Sequence, residues 1–249
     1  MNQTLTPARP FIGIRFPENE ARIIDAVFER NKIFHTRPIT IGLSIDLDDE
    51  HRSDCRLISA LFPSKTLLNS KNLVYISSSN NDLIEKISAF FATAKKTSED
   101  TIDIIGIPHK TWITTSGIAK RIKSLHKKNT LICLPDSVFF SLDKTILKKM
   151  IQEHYRNVVD YVEIVINDQE TFFGHTELCD RIKIFKDNGV TVVLSGMIHT
   201  YGLSKMELLA KDFPTLSIMA NRALIKNSVF DITTAREFYK SMSEFERRN

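Results

Sequence analysis

The chain repeats one pattern: a short apolar run, then a polar loop, then a stretch with helical periodicity. In the unit over residues 101–129, residues 102–107 form a mainly apolar run, and residues 108–114 form a polar loop. Ile118, Ile122 and Leu125 then recur at spacings of three and four. The next unit, residues 130–156, repeats this order with a polar turn at 135–141 and a helical pattern over 142–156. Strands that are apolar throughout are typical of parallel sheets covered on both faces. The pattern therefore predicts an α/β protein.

Eight such units fill the chain in strict alternation. The predicted strands are residues 11–16, 39–45, 72–76, 102–107, 130–134, 161–166, 191–194 and 216–219. The predicted helices cover residues 18–31, 55–62, 82–96, 118–125, 142–156, 176–188, 204–211 and 233–246. Alternation predicts parallel strands with right-handed crossovers, and eight repeats of roughly 30 residues match one closed (β/α)8 barrel. An open doubly wound sheet is the alternative, although no G-x-G-x-x-G turn follows the first strand.

The sequence shows no domain linker, no signal peptide and no strongly charged segment. No segment rich in Gly, Pro or Ser divides the chain, so we expect one barrel domain over 1–249, with residues 1–10 as an N-terminal extension. No signal-peptide core and no run of eighteen apolar residues occurs, so we expect a cytoplasmic protein without a membrane span. The net charge of +4 is mild and spread over predicted helices, so nucleic acid is not indicated.

The three cysteines do not form a recognisable motif. Cys55, Cys133 and Cys179 are widely separated and lack C-x-x-C spacing, which argues against disulfides and structural zinc. We expect them to be reduced core or helix residues.

Polar residues follow each predicted strand, and in a barrel these positions meet on one face. We expect His109 to carry protons there, with Asp46 and Asp136 as base or orienting carboxylates and His199 beside them. Substrate-binding candidates are Arg15, Lys110, Asn167, Asp168, Asn221, Arg222, Trp112 and Tyr201, of which Arg15 and Arg222 would hold an anionic group. The competing interpretation is that these residues are polar because loops are solvated.

Arg15 and Ser44 lie near the ends of their strands and are candidates for the barrel interior. A charged side chain there is costly unless it is paired. Asp46 on the neighbouring strand is the partner that we expect for Arg15, and a solvated arginine at the barrel edge is the alternative.

The loops after the strands are unusually apolar. They carry Trp112, Phe139, Phe140, Phe172, Phe173, Met197 and Tyr201. This aromatic loop face would either wall a small-molecule pocket or form a surface for a partner, apart from members that belong to the core.

Several familiar motifs are absent from the sequence. The chain has only eight glycines, and no glycine-rich phosphate loop follows the seventh or eighth strand. Asp46, Asp136, Asp168 and His199 offer ligand atoms for a Mg²⁺- or Mn²⁺-class ion, but no spacing motif requires one, so we expect no metal. No cofactor can be named.

The second half of the chain resembles EAL-domain cyclic-dinucleotide phosphodiesterases in outline. The resemblance rests on the segments ICLPDS, YVEIVIND, NGVTVVLSGM and LSIMANRALIKN. The sequence departs from that family in having Ser195-Gly196 where the family has paired aspartates and Met219-Ala220-Asn221 where it has lysine-isoleucine-aspartate. It also lacks the EAL tripeptide, and it ends before that family's last two strands. The resemblance implies a degenerate, non-catalytic relative that binds a protein partner.

Two functions are thus compatible with the sequence. The first is a barrel enzyme that acts on a small polar or anionic molecule by acid/base chemistry of the lyase, isomerase or hydrolase type. The alternative is a non-catalytic regulatory or protein-binding barrel that works through the aromatic loop face. A protein partner or a homo-oligomer fits either function.

Overall fold

Eight parallel strands form a closed barrel in the computed structural model. The structure describes residues 11–16, 40–48, 71–78, 82–94, 102–114, 117–166, 175–196, 209, 212–213, 216–220, 225–226, 229–231, 233–234, 237–238 and 240–241. The strands are β1 (Ile12–Phe16), β2 (Thr40–Asp46), β3 (Asn72–Ser77), β4 (Ile104–Pro108), β5 (Asn129–Pro135), β6 (Tyr161–Ile166), β7 (Thr191–Gly196) and β8 (Ser217–Ala220). Each strand pairs with the next along the chain.

The barrel closes between its first and last strands. Gly13 pairs with Thr40 of β2 on one side and with Met219 of β8 on the other. Parallel closure of this kind confirms the predicted (β/α)8 fold and excludes the open sheet. The observed strand bounds lie within two residues of the predicted ones, because the apolar runs that define them are the segments buried on both faces.

Alternating side chains of the strands build two apolar cores. One core lies between the strands and the surrounding helices and includes Ile105, Ile132 and Ile164. The other fills the barrel and includes Leu73 and Leu131, both with no exposed surface. Complete burial of an aliphatic side chain contributes roughly 1.5–3 kcal/mol, so both faces of each strand stabilise the barrel.

Helices lie outside the strands. They are α1 (Leu83–Ala94), α2 (His109–Thr114), α3 (Ile118–His126), α4 (Asp136–Ser141), α5 (Lys144–Met150), a π-helix (Ile151–Tyr155) and α6 (His175–Asp187). The prediction of non-helical segments at 108–114 and 135–141 was wrong, because these segments contain the helices α2 and α4. Each has an aromatic residue that packs on the outer core, Trp112 in α2 and Phe139 in α4, and such packing stabilises even a short helix.

The helix predicted over residues 142–156 consists of an α-helical part, α5, followed by the π-helix. Asp143 caps its start, where the carboxylate Oδ1 accepts a hydrogen bond from the backbone N–H of Thr145 at 2.7 Å. Its end is the π-helix, in which the backbone N–H of Arg156 donates to the carbonyl of Ile151. Asn157 then adopts a left-handed conformation with φ 65° and leads the chain toward β6.

Four of the predicted helices lie wholly or mostly outside the described residues. The helices predicted at 18–31 and 55–62, and most of those at 204–211 and 233–246, lie outside the described residues. After β8, strands β9 (Ile225–Lys226) and β10 (Val229–Phe230) form a small antiparallel pair that the sequence analysis did not predict.

Within the described ranges, no helix combines the length and the hydropathy that crossing a bilayer requires.

Candidate functional site

One level of the barrel interior is polar. Alternate strands of such a barrel contribute side chains to a shared layer. The strand registers bring Arg15, Tyr75, Cys133 and Ser195, from β1, β3, β5 and β7, into one layer, and Glu163 of β6 adjoins it. We call these five residues the polar layer. Because branched aliphatic residues usually fill a barrel interior, a layer of this composition is a candidate functional site.

The two charged groups of the polar layer face each other. Arg15 Nη1 lies 4.0 Å from Glu163 Oε1, and the Glu163 side chain has no exposed surface, whereas 25% of the Arg15 side chain is exposed. Arg15 Nε also donates a hydrogen bond to Ser44 Oγ at 2.9 Å. A buried carboxylate needs a nearby cation, and Arg15 supplies it while keeping part of its surface accessible.

Tyr75 supports the guanidinium of Arg15 from one side. The Arg15 Cζ atom lies 3.6 Å from the centroid of the Tyr75 ring, which is a cation–π contact. Two glycines make room for that ring, since a Cβ atom would come within 2.9 Å of Tyr75 Cε2 at Gly42 and within 2.7 Å of Tyr75 Cδ1 at Gly106. The absence of two side chains therefore fixes where the aromatic ring and the arginine lie.

Burial keeps two groups of the polar layer protonated. It raises the pKa of the Tyr75 phenol well above its ordinary value, and the negative charge of Glu163 raises that pKa further. Burial and then the Glu163 carboxylate likewise raise the pKa of the Cys133 thiol. Both groups are therefore neutral near pH 7 and can donate hydrogen bonds, and Cys133 Sγ is 3.5 Å from its acceptor, Glu163 Oε2.

The polar layer has unused hydrogen-bonding capacity. Among the described residues, Glu163 Oε1, Tyr75 Oη and Ser195 Oγ are buried polar atoms without a hydrogen-bond partner, and Thr40 Oγ1 is the fourth. An unsatisfied buried polar group costs about 1–3 kcal/mol, and native proteins contain few of them. Two of these groups, the Tyr75 phenol and the Glu163 carboxylate, interact with each other, and this interaction contributes to the raised pKa of Tyr75. The remaining hydrogen-bonding capacity is available to water or to polar groups of a bound molecule.

Arg15 is the sequence-predicted site residue within the polar layer, and Asp46 lies beyond the layer on β2. Asp46 ends β2 two residues after Ser44 and shares its inward phase, and its Oδ1 accepts a hydrogen bond from the backbone N–H of Asp48 at 3.0 Å. The contacts described for Arg15 go to Ser44, Tyr75 and Glu163. The pairing of Arg15 with Asp46 stays a prediction.

The structure does not bring His109 to the polar layer. His109 follows Pro108, which shares the inward phase of Gly106, so the imidazole faces the helices. There His109 Nδ1 lies 3.4 Å from Tyr155 Oη, and partial burial lowers the pKa of the imidazole. The nearby Trp112 packs edge-on against Tyr155 with 5.9 Å between ring centroids, and Lys110 is exposed.

The other predicted site residues are not described in full. Asp136 begins α4 directly after β5, and β5 pairs with β4, the strand that precedes His109. Asn167, Asp168, His199, Tyr201, Asn221 and Arg222 lie outside the described residues, as do Phe172, Phe173 and Met197 of the aromatic loop face. Their approach to the barrel mouth stays a prediction.

Phe139 belongs to the core and not to a pocket wall. Its ring has no exposed surface and packs against Phe140 and Phe185. Its carbonyl accepts a hydrogen bond from Arg181 Nη1 at 2.6 Å, and the same nitrogen bonds the carbonyl of Leu142. Arg181 thus satisfies carbonyls at the end of α4, which is a structural role.

Sequence reasoning missed Glu163, Tyr75 and Cys133 as site residues. The signal for Glu163 is its charge inside the apolar run YVEIVI. A strand buried on both faces has no solvated side, so a glutamate within it must meet a partner in the interior. Tyr75 and Cys133 carry no comparable signal, because apolar and aromatic residues are expected in such strands.

Comparisons with known proteins support the fold. Solved structures match over nearly the whole chain, among them phosphoribosylanthranilate isomerase from Pyrococcus furiosus, with a TM-score of 0.59 and 9% identity over 94% of this chain and 99% of that one. The protein is a TIM barrel. Orotidine 5'-monophosphate decarboxylase from Methanocaldococcus jannaschii matches with a TM-score of 0.59 and 14% identity over 96% and 99% of the two chains.

A third match is 3-hexulose-6-phosphate synthase from Salmonella typhimurium, with a TM-score of 0.59 and 12% identity over 94% of this barrel and 99% of that chain. No family model matches this TIM barrel, and no curated protein matches its sequence. At these identities the likeness concerns the fold, and function has to be argued from the site.

Proposed function

We propose that the protein is an enzyme that acts on a small polar or anionic molecule by acid/base chemistry at the polar layer. The observation that carries this proposal is the fully buried Glu163, whose Oε1 lacks a hydrogen-bond partner in the described part of the chain and lies 4.0 Å from Arg15. A carboxylate that is desolvated and held beside a cation is a common arrangement for proton transfer.

Three residues take defined roles in this proposal. Arg15 binds an anionic group of the substrate through the accessible part of its guanidinium, whose planar donors suit carboxylate and phosphate. Glu163 accepts a proton from the substrate. Tyr75, whose pKa is raised by burial, remains a neutral phenol and donates a hydrogen bond to the oxygen on which negative charge develops.

Residues at the barrel mouth would complete the site. Asp46 is the described candidate, and we assign it an orienting role toward the substrate. Asp136, Asn167, His199 and Arg222 remain candidates for the same rim. The reaction classes that fit a carboxylate base with a phenol donor are isomerase and lyase reactions, followed by hydrolase reactions.

The similar barrels support an anionic substrate. Phosphoribosylanthranilate isomerase, orotidine 5'-monophosphate decarboxylase and 3-hexulose-6-phosphate synthase are named for phosphorylated small molecules. The present chain lacks a glycine-rich phosphate loop after its seventh strand, so Arg15 would hold the anion in a different way. A non-catalytic role through the aromatic loop face is less favoured, because Phe139 is part of the core and Trp112 packs on Tyr155.

The proposal is tested by thermal unfolding in the presence of small carboxylates and phosphates, each beside a neutral analogue of the same size. We expect at least one anion to raise the melting temperature of the wild type and to have no effect on Arg15→Gln. Lys148→Gln, which removes an exposed positive charge on α5, serves as the control and should respond like the wild type. Equal responses of Arg15→Gln and wild type would contradict the proposal.

A further inference from the structure

A cavity lies outside the barrel. It is a cleft of about 420 Å³ between α2 and α3 on one side and the α5 and π-helix segment on the other. Its lining includes Trp112, Lys120 and Tyr155. Ligand-binding clefts typically measure about 300–1,000 Å³, so this outer cleft has room for a small molecule.

The walls of the outer cleft are aromatic and apolar. Trp112 meets Tyr155 edge-on at an interplanar angle of 80°, so the indole and the phenol ring form a corner. The half-buried Met150 lines the same space, and Ile113, 66% exposed, lies at its edge. Walls of this kind suit a flat, apolar ring, because aromatic faces offer large contact area with few rotatable bonds.

Two ring nitrogens on the lining have no hydrogen-bond acceptor among the described residues. Neither Trp112 Nε1 nor His109 Nε2 makes a hydrogen bond in the described region, and the one polar contact of His109 is the 3.4 Å approach of its Nδ1 to Tyr155 Oη. Both nitrogens can carry a hydrogen and donate. A ligand with an acceptor group would satisfy donors that the protein leaves unused.

The lining of the outer cleft carries one ammonium group, Lys120, and one carboxylate, Glu153, and Lys149 beside Glu153 gives these three side chains a formal charge of +1. Lys120 is exposed and has no ion partner among the described residues. The one acidic residue of the lining, Glu153, is offset by Lys149 at 3.9 Å and also lies 3.9 Å from His154. An apolar cleft with an uncompensated ammonium group favours a ligand that carries a negative charge.

The π-helix contributes directly to this geometry. Its wider turn ends at Tyr155, which forms one wall of the outer cleft. Short π-helices inside longer helices occur frequently at functional sites, although they distort the regular hydrogen-bonding pattern. Here the distorted turn carries Glu153, His154 and Tyr155, all of which line the cleft.

We propose that the outer cleft binds a small aromatic carboxylate, with its ring against Trp112 and its carboxylate at Lys120. This site is separate from the polar layer, since its lining comes from α2, α3, α5, the π-helix and the adjoining Gly117 and Val158, and includes no member of the polar layer. The proposal therefore stands whether or not the barrel interior is catalytic.

Calorimetric titration with 2-naphthoate tests the proposal, with 2-naphthylmethanol as the neutral probe of similar shape. We expect 2-naphthoate to bind with a Kd of about 1 mM or tighter. Lys120→Gln should weaken its binding about fivefold and leave the alcohol unaffected, because an exposed ion pair contributes modestly. Trp112→Leu should weaken both probes more than about tenfold, because the ring contact is lost.

Two control variants locate the probe. Arg121→Gln removes the same charge from the next residue of α3, which is exposed and does not line the outer cleft, and should bind 2-naphthoate like the wild type. Arg15→Gln should also bind it normally. The proposal is overturned if 2-naphthoate does not bind, if Lys120→Gln binds it as well as the wild type, or if Arg15→Gln abolishes binding. Lys120 is exposed, so that decisive variant is expected to fold even where Trp112→Leu does not.

Discussion

Arg15 and Glu163 form an ion pair inside the barrel, with 4.0 Å between Nη1 and Oε1, although they lie on β1 and β6 and are 148 positions apart in the sequence. Neither residue alone suits an apolar interior. Together they allow a TIM barrel to keep a carboxylate dry and a guanidinium partly accessible.

A double-mutant cycle measures the coupling between the two charges. Glu163→Gln should lower the free energy of unfolding by about 2 kcal/mol, because it leaves Arg15 without its counter-ion, with partial exposure of Arg15 reducing the cost. Arg15→Gln should lower the free energy of unfolding less in the Glu163→Gln background than in the wild type. The difference between the two losses, measured by urea unfolding, is the coupling energy, and we expect about 1 kcal/mol. Strictly additive effects would show that the pair does not interact.

Gly106→Ala tests the packing beneath Arg15. The new Cβ would lie 2.7 Å from Tyr75 Cδ1, so the ring must move, and we expect a loss of about 1–3 kcal/mol in urea unfolding. Gly117→Ala is the control for backbone effects alone. It lies in open space at φ 74° and should cost about 1 kcal/mol from strain. A Gly106→Ala protein as stable as the wild type would contradict the described position of Tyr75.

The pH dependence of stability should report on His109. Partial burial lowers the pKa of His109 in the folded protein, so between its folded and unfolded pKa values the unfolded chain binds more protons. Stability should therefore fall as the pH drops below about 6.5, the ordinary histidine value. Urea unfolding at pH 7.5 and pH 5.5 should show a larger loss for the wild type than for His109→Gln. Equal losses would mean that His109 does not contribute.

The barrel was predictable from the sequence because its strands are buried on both faces. Runs such as residues 130–134 have no polar alternation, and runs of that kind in strict alternation with helices leave few possible folds. The short helices α2 and α4 were not predictable in the same way. Each has only six residues, too few for a helical periodicity to be recognised, and the packing of Trp112 and Phe139 on the core stabilises them.

The candidate site was predicted only in part. The sequence predicts that Arg15 and Ser44 are interior residues, and in the structure Arg15 Nε donates a hydrogen bond to Ser44 Oγ. The sequence alone does not reveal that Glu163 lies across the barrel from Arg15, because that contact depends on the register of every strand between β1 and β6. His109 was predicted at the rim because it follows a strand. In the structure its Nδ1 lies 3.4 Å from Tyr155 Oη, and its part in the chemistry stays a prediction.

Alkylation rates should distinguish the cysteines. Cys133 and Cys179 are both partly exposed, and the pKa of Cys179 is also raised by burial, but burial and the Glu163 carboxylate raise the pKa of Cys133 well above its ordinary value. Because the thiolate is the reactive form, Cys133 should react with iodoacetamide more than about tenfold slower than Cys179. Peptide mapping by mass spectrometry gives the two rates separately. In urea the two rates should become similar. Similar rates in the folded protein would contradict the described position of Cys133 beside the Glu163 carboxylate.

Catalysis at the polar layer is tested most directly by incubating the protein with mixtures of small carboxylates and phosphates in D₂O and following them by proton NMR. We expect the wild type to consume one compound or to exchange one of its carbon-bound protons for deuterium. Glu163→Gln should slow that reaction at least about 100-fold, since a positioned general base typically contributes 10²–10⁴-fold. Conversion at the wild-type rate by Glu163→Gln, or no conversion or exchange by the wild type, would contradict the proposed function.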